Sequence, residues 1–289
     1  ANLMSPGPSP WSSACFAVPK PHSDKWRMVL DFRWVNAQTI RDSYPLPFIQ
    51  DVVCSFGGHE VFSKLDLKSG FWQVELEEDS QACTAFSHPD GQDLWRRVPF
   101  GVRNGLPHFK RAVNTMLAEH GLLEDVAAFI DDLGVGGGTH DEAANKLGKL
   151  LSALHDVHFM VGADKIWVGY TSIDFLGYRL EAGVLLPDPD HAAAIGRLLP
   201  PTTRSQLRGF LGLTGYYREF IKGYASIARP LYQLLKENVP WEWDQAAQKA
   251  FITLQARLAA VPILALPEPD RPFTVYSDFC GHSIAAVLE

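Results

Sequence analysis

Two adjacent aspartates, Asp131 and Asp132, follow the run Val126-Ala127-Ala128-Phe129-Ile130 and precede Leu133-Gly134-Val135. Apolar run, acidic pair, apolar run reads as strand, tight turn, strand. Two carboxylates held side by side repel, and each resists ionisation unless a positive charge lies close by. A divalent cation carrying a phosphate-bearing substrate supplies that charge, so the chemistry to look for is nucleotidyl transfer. An isolated Asp-Asp is in most proteins a solvated turn, and the rest of the chain must decide. A third acid, Asp66, stands near the end of the alternating run Glu60-Val61-Phe62-Ser63-Lys64-Leu65-Asp66-Leu67. Adjacent strands lie ~4.8 Å apart, so Asp66 and Asp131 on neighbouring strands can share two ions ~3.5–4 Å apart. Mg²⁺ suits such a site, because it takes few carboxylates and completes its shell with phosphate oxygens and water.

The surrounding pattern supplies elements to hold these acids. Trp26–Phe32 reads as a strand, and Ile49–Phe56 as a short helix after Pro45 and Pro47. Phe71–Leu76, Thr84–Ser87 and Leu94–Val98 are further strand candidates. A helix opens at Pro107 and runs to about Glu119, with Phe109, Val113, Met116 and Leu117 on one face. Thr139–Asp156 is a second helix, with a capping box at Thr139 and Glu142 and a stripe of Leu147, Leu150, Leu151 and Leu154. Strands before each helix and an acidic hairpin between them predict an α+β layer, with helices on one face of an antiparallel sheet. A hairpin over residues 172–186 comes next, and Pro187, Pro189, Pro200 and Pro201 then mark a boundary. Helices at Thr203–Gly223, Ala225–Lys236 and Gln245–Ala259 precede a strand-like tail, Phe273–Glu289.

Length and composition set the limits. With 289 residues, 46% of them hydrophobic and 20% charged, the chain predicts about two domains of ordinary globular type. The four cysteines show no CxxC spacing, which argues against a zinc ribbon or a disulfide framework and fits reduced thiols. No apolar run reaches the ~18 residues of a membrane span, and no secretory leader is evident, so an intracellular location without membrane attachment is expected. The start at Ala1 and the strand-like end suggest a piece of a longer polypeptide. The net charge of −7 is uneven: residues 41–185 hold 12 basic and 21 acidic side chains, whereas residues 186–240 hold 7 and 4. An acidic middle suits metal binding, and mildly basic flanks suit phosphates. The run Gly136-Gly137-Gly138 is not a phosphate loop, because no Gly-Lys-Ser/Thr follows it.

Further motifs accompany the acids: Ser9-Pro10-Trp11-Ser12-Ser13, Lys25-Trp26-Arg27, Asp31-Phe32-Arg33 with Asn36, and Tyr44-Pro45-Leu46-Pro47. They continue with Phe62–Phe71, Thr84-Ala85-Phe86, Pro99-Phe100-Gly101-Val102 with Asn104, and Phe129-Ile130-Asp131-Asp132. Phe175-Leu176-Gly177-Tyr178, Phe210-Leu211-Gly212-Leu213, Tyr216-Tyr217-Arg218 and Phe220-Ile221 complete the series. In this order and spacing, over nearly the whole chain, the sequence resembles reverse transcriptases of the long-terminal-repeat retrotransposon and retrovirus class, closest to the Ty3/gypsy group. The resemblance implies a right-hand polymerase with an antiparallel palm sheet backed by helices. Fingers would come from residues 1–40 and 73–105, the palm from 41–72 and 106–185, and the thumb from 186–240. Residues 241–289 would be a linker and the start of a ribonuclease H-like unit.

The resemblance also implies roles. Asp66, Asp131 and Asp132 match the catalytic acids, with Asp66, Asp131 and the Leu67 carbonyl holding two Mg²⁺ (Mn²⁺ as the alternative ion). Lys20 and Arg27 match the residues that hold the incoming deoxynucleoside triphosphate, and Phe71 the aromatic gate under its sugar. Phe129, Leu176, Gly177, Tyr178, Arg218 and Lys222 match positions that seat an RNA or DNA template with its primer. Asp278 matches the first ligand of a ribonuclease H site whose other acids are missing, so that activity is not expected of this fragment. The sequence departs from the family's usual pattern at Phe129 (usually Tyr), at Gly134 (usually bulky and apolar), after Lys165 (usually Cys) and at Phe279-Cys280. None of these removes a metal ligand. The rival expectation is a catalytically dead retroelement relic that still folds and binds nucleic acid.

Overall fold

Along Val61–Leu67, buried Leu65 and Leu67 alternate with half-buried Lys64 and Asp66. This is the period of a strand with one face against a core, and the rest of the fold builds around it. The computed structural model describes residues 3–19, 24–260, 263–267, 272, 274–280 and 283–288, without the side chains of 276, 278–280 and 283–288. The chain begins with strands β1 (Met4–Pro6), β2 (Cys15–Pro19) and β3 (Trp26–Leu30), helices α1 (Arg33–Gln38) and α2 (Ile49–Cys54), and strand β4 (Val61–Leu67). Helix α3 (Glu78–Gln81), strands β5 (Phe86–His88) and β6 (Gly91–Trp95) and helix α4 (Gly105–Glu119) lead to the hairpin β7 (Val126–Phe129)–β8 (Asp132–Gly137). Helix α5 (His140–Asp156) and strand β9 (Val161–Tyr170) follow.

The central sheet has the order β7-β8-β4-β9. Its core packs Leu65, Leu67, Leu133 and Val135 against Phe109, Val113, Met116 and Leu117 of α4 and Leu147, Leu150 and Leu154 of α5. Helix α4 presents the stripe that its sequence spacing predicts; on α5, Leu151 is instead exposed, and Ala143 and Ala153 join Leu147, Leu150 and Leu154 on the buried face. Helix α5 carries Asp141 and Glu142 in its first turn, where acids complement the helix dipole. A three-stranded sheet (β1-β6-β5) and the ribbon β2–β3 complete this part of the chain. Phe71–Leu76 is not the expected strand. Gly70–Gln73 instead forms a 3₁₀ turn, entered through Ser69 in the left-handed region.

Strands β10 (Ser172–Phe175), β11 (Tyr178–Glu181), β12 (Val184–Pro187) and β13 (Leu264–Ala265) form a second four-stranded sheet. Helices α6 (Pro189–Gly196), α7 (Arg204–Tyr216), α8 (Tyr224–Gln233) and α9 (Gln245–Ala259) accompany it, and β14 (Val275–Cys280) pairs with β15 (Ser283–Leu288). Asp188 caps α6 and Thr203 caps α7, each accepting backbone N–H bonds through a side-chain oxygen. Two compact units result: residues 1–53, 62–136 and 140–169, and residues 54–61, 137–139 and 170–289. No helix among the described residues is long and apolar enough to cross a membrane.

Candidate active site

Strand β7 pairs with β8 so that Phe129 faces Asp132, leaving Ile130 and Asp131 as a two-residue turn. Ile130 takes φ +57°. A β-branched residue is rarely found in this left-handed region, where its Cβ crowds the backbone. The strain is held by packing, since Ile130 rests against the core of the sheet. The turn is also fastened to β4: the Leu67 N–H donates to the Asp131 carbonyl at 2.9 Å. That bond sets the end of β4, which carries Asp66, beside the acidic turn.

The 3₁₀ turn after β4 closes in from another side. A Cβ placed on Gly70 would lie 2.8 Å from Phe109 Cζ and 3.4 Å from Asp131 Cβ, so only glycine lets this segment approach the hairpin. Phe71 is half-buried, edge-on to Phe100 (5.1 Å between ring centroids) and Phe109 (5.3 Å). Gln73 donates to the Lys68 carbonyl at 2.7 Å and the Met160 carbonyl at 2.9 Å, and so joins the loop after β4 to the start of β9.

The electrostatics are those of crowded acids. Burial pushes the Asp132 carboxyl up to about 6, and the charges of Asp131 and Asp66 add to the rise. Burial raises Asp131 too, with a further push from Asp66. Lys165, on β9, donates to Asp66 Oδ2 at 3.0 Å, and this bond raises the ammonium's own pKa. Among the described residues, no group of three or more His, Cys, Asp or Glu side chains is arranged to hold a metal ion by itself. The convergence of three acids expected from sequence is therefore one of adjacent strands, while Asp66 turns to Lys165. The donor set still fits a hard cation. Asp66, Asp131 and Asp132 are oxygen donors with an unfavourable mutual charge, and the Lys165 ammonium offsets part of it at Asp66.

The remaining expected residues fall in different places. Arg27 is exposed on β3, opposite Val18 in the ribbon β2–β3, and Lys20 lies outside the described residues. Phe129 is half-buried at the end of β7. In the second unit, Phe175 faces Tyr178 across a two-residue turn in which Leu176 (φ +50°) and Gly177 (φ +74°) are both left-handed, as a type I′ hairpin requires. The turn carbonyls are held by two tyrosines. Tyr216 Oη donates to Leu176 O at 2.6 Å, and Tyr217 Oη donates to Gly177 O at 2.7 Å. Tyr178 is buried in this aromatic cluster, so its ring supports the turn and is closed to a nucleic acid. Arg218 and Lys222 are exposed. Asp278 lies on β14, where only its backbone is described. Sequence reading missed Lys165 and Gln73 as partners of the site, because their contacts join residues 99 and 87 positions apart.

The same fold occurs in foamy virus enzymes. The foamy viral protease–reverse transcriptase in complex with double-stranded DNA matches 99% of this chain and 50% of its own with a TM-score of 0.88 at 24% identity. The foamy viral protease–reverse transcriptase in complex with an RNA/DNA hybrid matches 96% of this chain and 37% of its own with a TM-score of 0.82, also at 24% identity. The family model "Reverse transcriptase (RNA-dependent DNA polymerase)" matches residues 18–180, and "RNase H-like domain found in reverse transcriptase" matches residues 243–289. The chain belongs to the reverse transcriptase family. It is 35% identical to the retrovirus-related Pol polyprotein from transposon opus of Drosophila melanogaster over 301 residues, covering 99% of the chain and 30% of that protein. It is likewise 35% identical to the Gag-Pol polyprotein of woolly monkey sarcoma virus over 288 residues, covering 96% of the chain and 17% of that protein. The chain thus spans less than a third of these curated relatives.

Proposed function

We propose that the chain is an RNA-directed DNA polymerase that extends a primer 3′-end with deoxynucleotides along an RNA or DNA template. One observation carries this reading: Asp66 stands beside the Asp131–Asp132 turn, held there by the Leu67–Asp131 backbone bond. Asp66, Asp131 and the Leu67 carbonyl would hold two Mg²⁺, with Asp132 beside them and Mn²⁺ as a substitute. When bound, the ions lower the pKa of the primer hydroxyl and neutralise charge on the departing pyrophosphate.

The chain's own residues position and screen. Arg27 and Lys20 grip the triphosphate, where the guanidinium's fork suits phosphate oxygens. Phe71, braced by Phe100 and Phe109, lies under the sugar and leaves no room for a 2′-hydroxyl. Phe129 borders the primer–template. The Leu176–Gly177 turn, stiffened by Tyr216 and Tyr217, seats the primer end. Arg218 and Lys222 follow the duplex through its phosphates. In domain terms, the ribbon β2–β3 belongs to the fingers, the sheet β7-β8-β4-β9 to the palm, and α6, α7 and α8 to the thumb.

Primer extension on a homopolymer template with Mg²⁺ tests the reading. The unaltered chain should incorporate deoxynucleotides, and Asp131→Asn should abolish incorporation while leaving duplex binding intact. Duplex binding without incorporation by the unaltered chain would favour the relic. Near-normal rates in Asp131→Asn would refute the metal assignment.

A further inference from the structure

Lys110 is 4% exposed and is the one charged residue fully buried among the described side chains. It lies on the apolar stripe of α4, in phase with Val113 and Leu117, where sequence periodicity predicts a hydrophobic residue. Its Nζ donates to the Ala128 carbonyl at 2.8 Å. Burial lowers its pKa, and no acid is among the causes of that shift. A buried ammonium without a carboxylate is costly, and replacement by a hydrophobic residue of similar length would remove the cost.

The carbonyl it meets is a particular one. Phe129 and Asp132 close the two-residue hairpin, so the next pair along, Ala128 and Leu133, exchanges no hydrogen bonds in an antiparallel ladder. The Ala128 carbonyl therefore points away from β8. Strand β7 is also at the edge of its sheet, so no further strand among the described residues covers that side. Lys110 reaches across from α4 and takes the open acceptor two residues before the strained Ile130, three before Asp131. On the other side of the turn, the Leu67 N–H holds the Asp131 carbonyl. The acidic turn is thus fastened at two points, one on each flank.

We propose that Lys110 is a positioning residue for the acidic hairpin: its ammonium clamps the edge of β7 and fixes where the Asp131 carboxylate stands relative to Asp66. The inference rests on the polymerase reading. It assigns to Lys110 no contact with substrate or metal. The clamp needs a donor at the Ala128 carbonyl, so Arg would keep it, Gln would keep it more weakly because its bond is not charge-assisted, and Met, which has similar length but no donor, would lose it.

The test uses Lys110→Met, Lys110→Gln and Lys110→Arg in the full chain. Two readouts are taken well below the melting temperature: primer extension resolved into kcat and KM for the deoxynucleotide, and hydrogen exchange of the Leu67 amide. Lys110→Met should lower kcat about tenfold, in the range for groups that orient catalytic ligands, with KM changed less than about twofold. Leu67 exchange should quicken in the same variant, while Lys110→Arg restores both and Lys110→Gln restores them in part. A purely structural Lys110 would show itself in the melting temperature alone, in either direction, and leave kcat and Leu67 exchange untouched, and that result overturns the proposal. If Lys110→Met fails to fold, the donor-bearing pair still decides: loss of kcat in both, with parental melting temperatures, overturns it as well. If the unaltered chain does not extend primers, the polymerase reading fails on its own, and Leu67 exchange still reports whether Lys110 holds the turn.

Discussion

Replacing Asp132 with Asn should make the metal-free protein more stable at neutral pH. The Asp132 carboxyl is pushed up to about 6 in the folded chain, from a usual 3.8, by burial and by the charges of Asp131 and Asp66. Keeping such a group ionised costs ~3 kcal/mol, and screening by the solvent that reaches this half-exposed side chain lowers that to about 1–2 kcal/mol. The sign follows from the direction of the shift. The folded pKa lies above the unfolded one, so the penalty is complete above pH ~6 and fades as pH falls towards 3.8. Asp132→Asn should therefore raise the melting temperature by roughly 2–8 °C at pH 8 in EDTA, and the gain should vanish near pH 4. Added Mg²⁺ should stabilise the parent more than the variant, because binding to the folded state alone raises stability by mass action. The assay is a thermal melt followed by circular dichroism across pH 4–8. Equal melting temperatures at pH 8, or a gain that persists at pH 4, would refute the claim that burial, with the neighbouring carboxylates, makes the ionised Asp132 costly.

Phe71→Val should admit ribonucleotides, and the ratio of deoxynucleotide to ribonucleotide kcat/KM should fall by tenfold or more; an unchanged ratio removes Phe71 from the sugar site. Gly70→Ala should destabilise by about 1–3 kcal/mol, the usual cost of overpacking, because its methyl would meet the buried Phe109 ring at 2.8 Å, and a urea titration would measure it. Tyr217→Phe deletes the bond to the Gly177 carbonyl, and with it the contact to His191 Nδ1, and should cost ~1–2 kcal/mol. It should raise KM for primer–template more than it lowers kcat, and a selective loss of kcat would remove that turn from the primer site.

Much of the palm was legible because its signals are local. Period-two alternation marked β4, the stripes of Phe109–Leu117 and Leu147–Leu154 marked α4 and α5, and turn chemistry placed the acids between two strands. Phe71–Leu76 reads as strand although Phe71–Gln73 belong to a 3₁₀ turn, because the conformation there is set from afar. Phe71 is caught between Phe100 and Phe109, and Gly70 is pressed against Phe109. The partners Lys165 and Gln73 act across sequence gaps that no window of pattern reading spans. Lys110 was legible in part, since a lysine in phase with Val113 and Leu117 breaks its helix's own rule. Such breaches carry information. Local preference asks for Gly or Asn at the left-handed positions of two-residue hairpins, yet Ile130 and Leu176 occupy them. Both turns are held by bonds from outside their own hairpins, Leu67 N–H at one and the Tyr216 hydroxyl at the other. A turn that holds itself needs no such fastening. Turns with the aiming roles proposed above gain rigidity from the packing that enforces an unfavoured backbone, and consistency between local and global preference is expected to fail first at such sites.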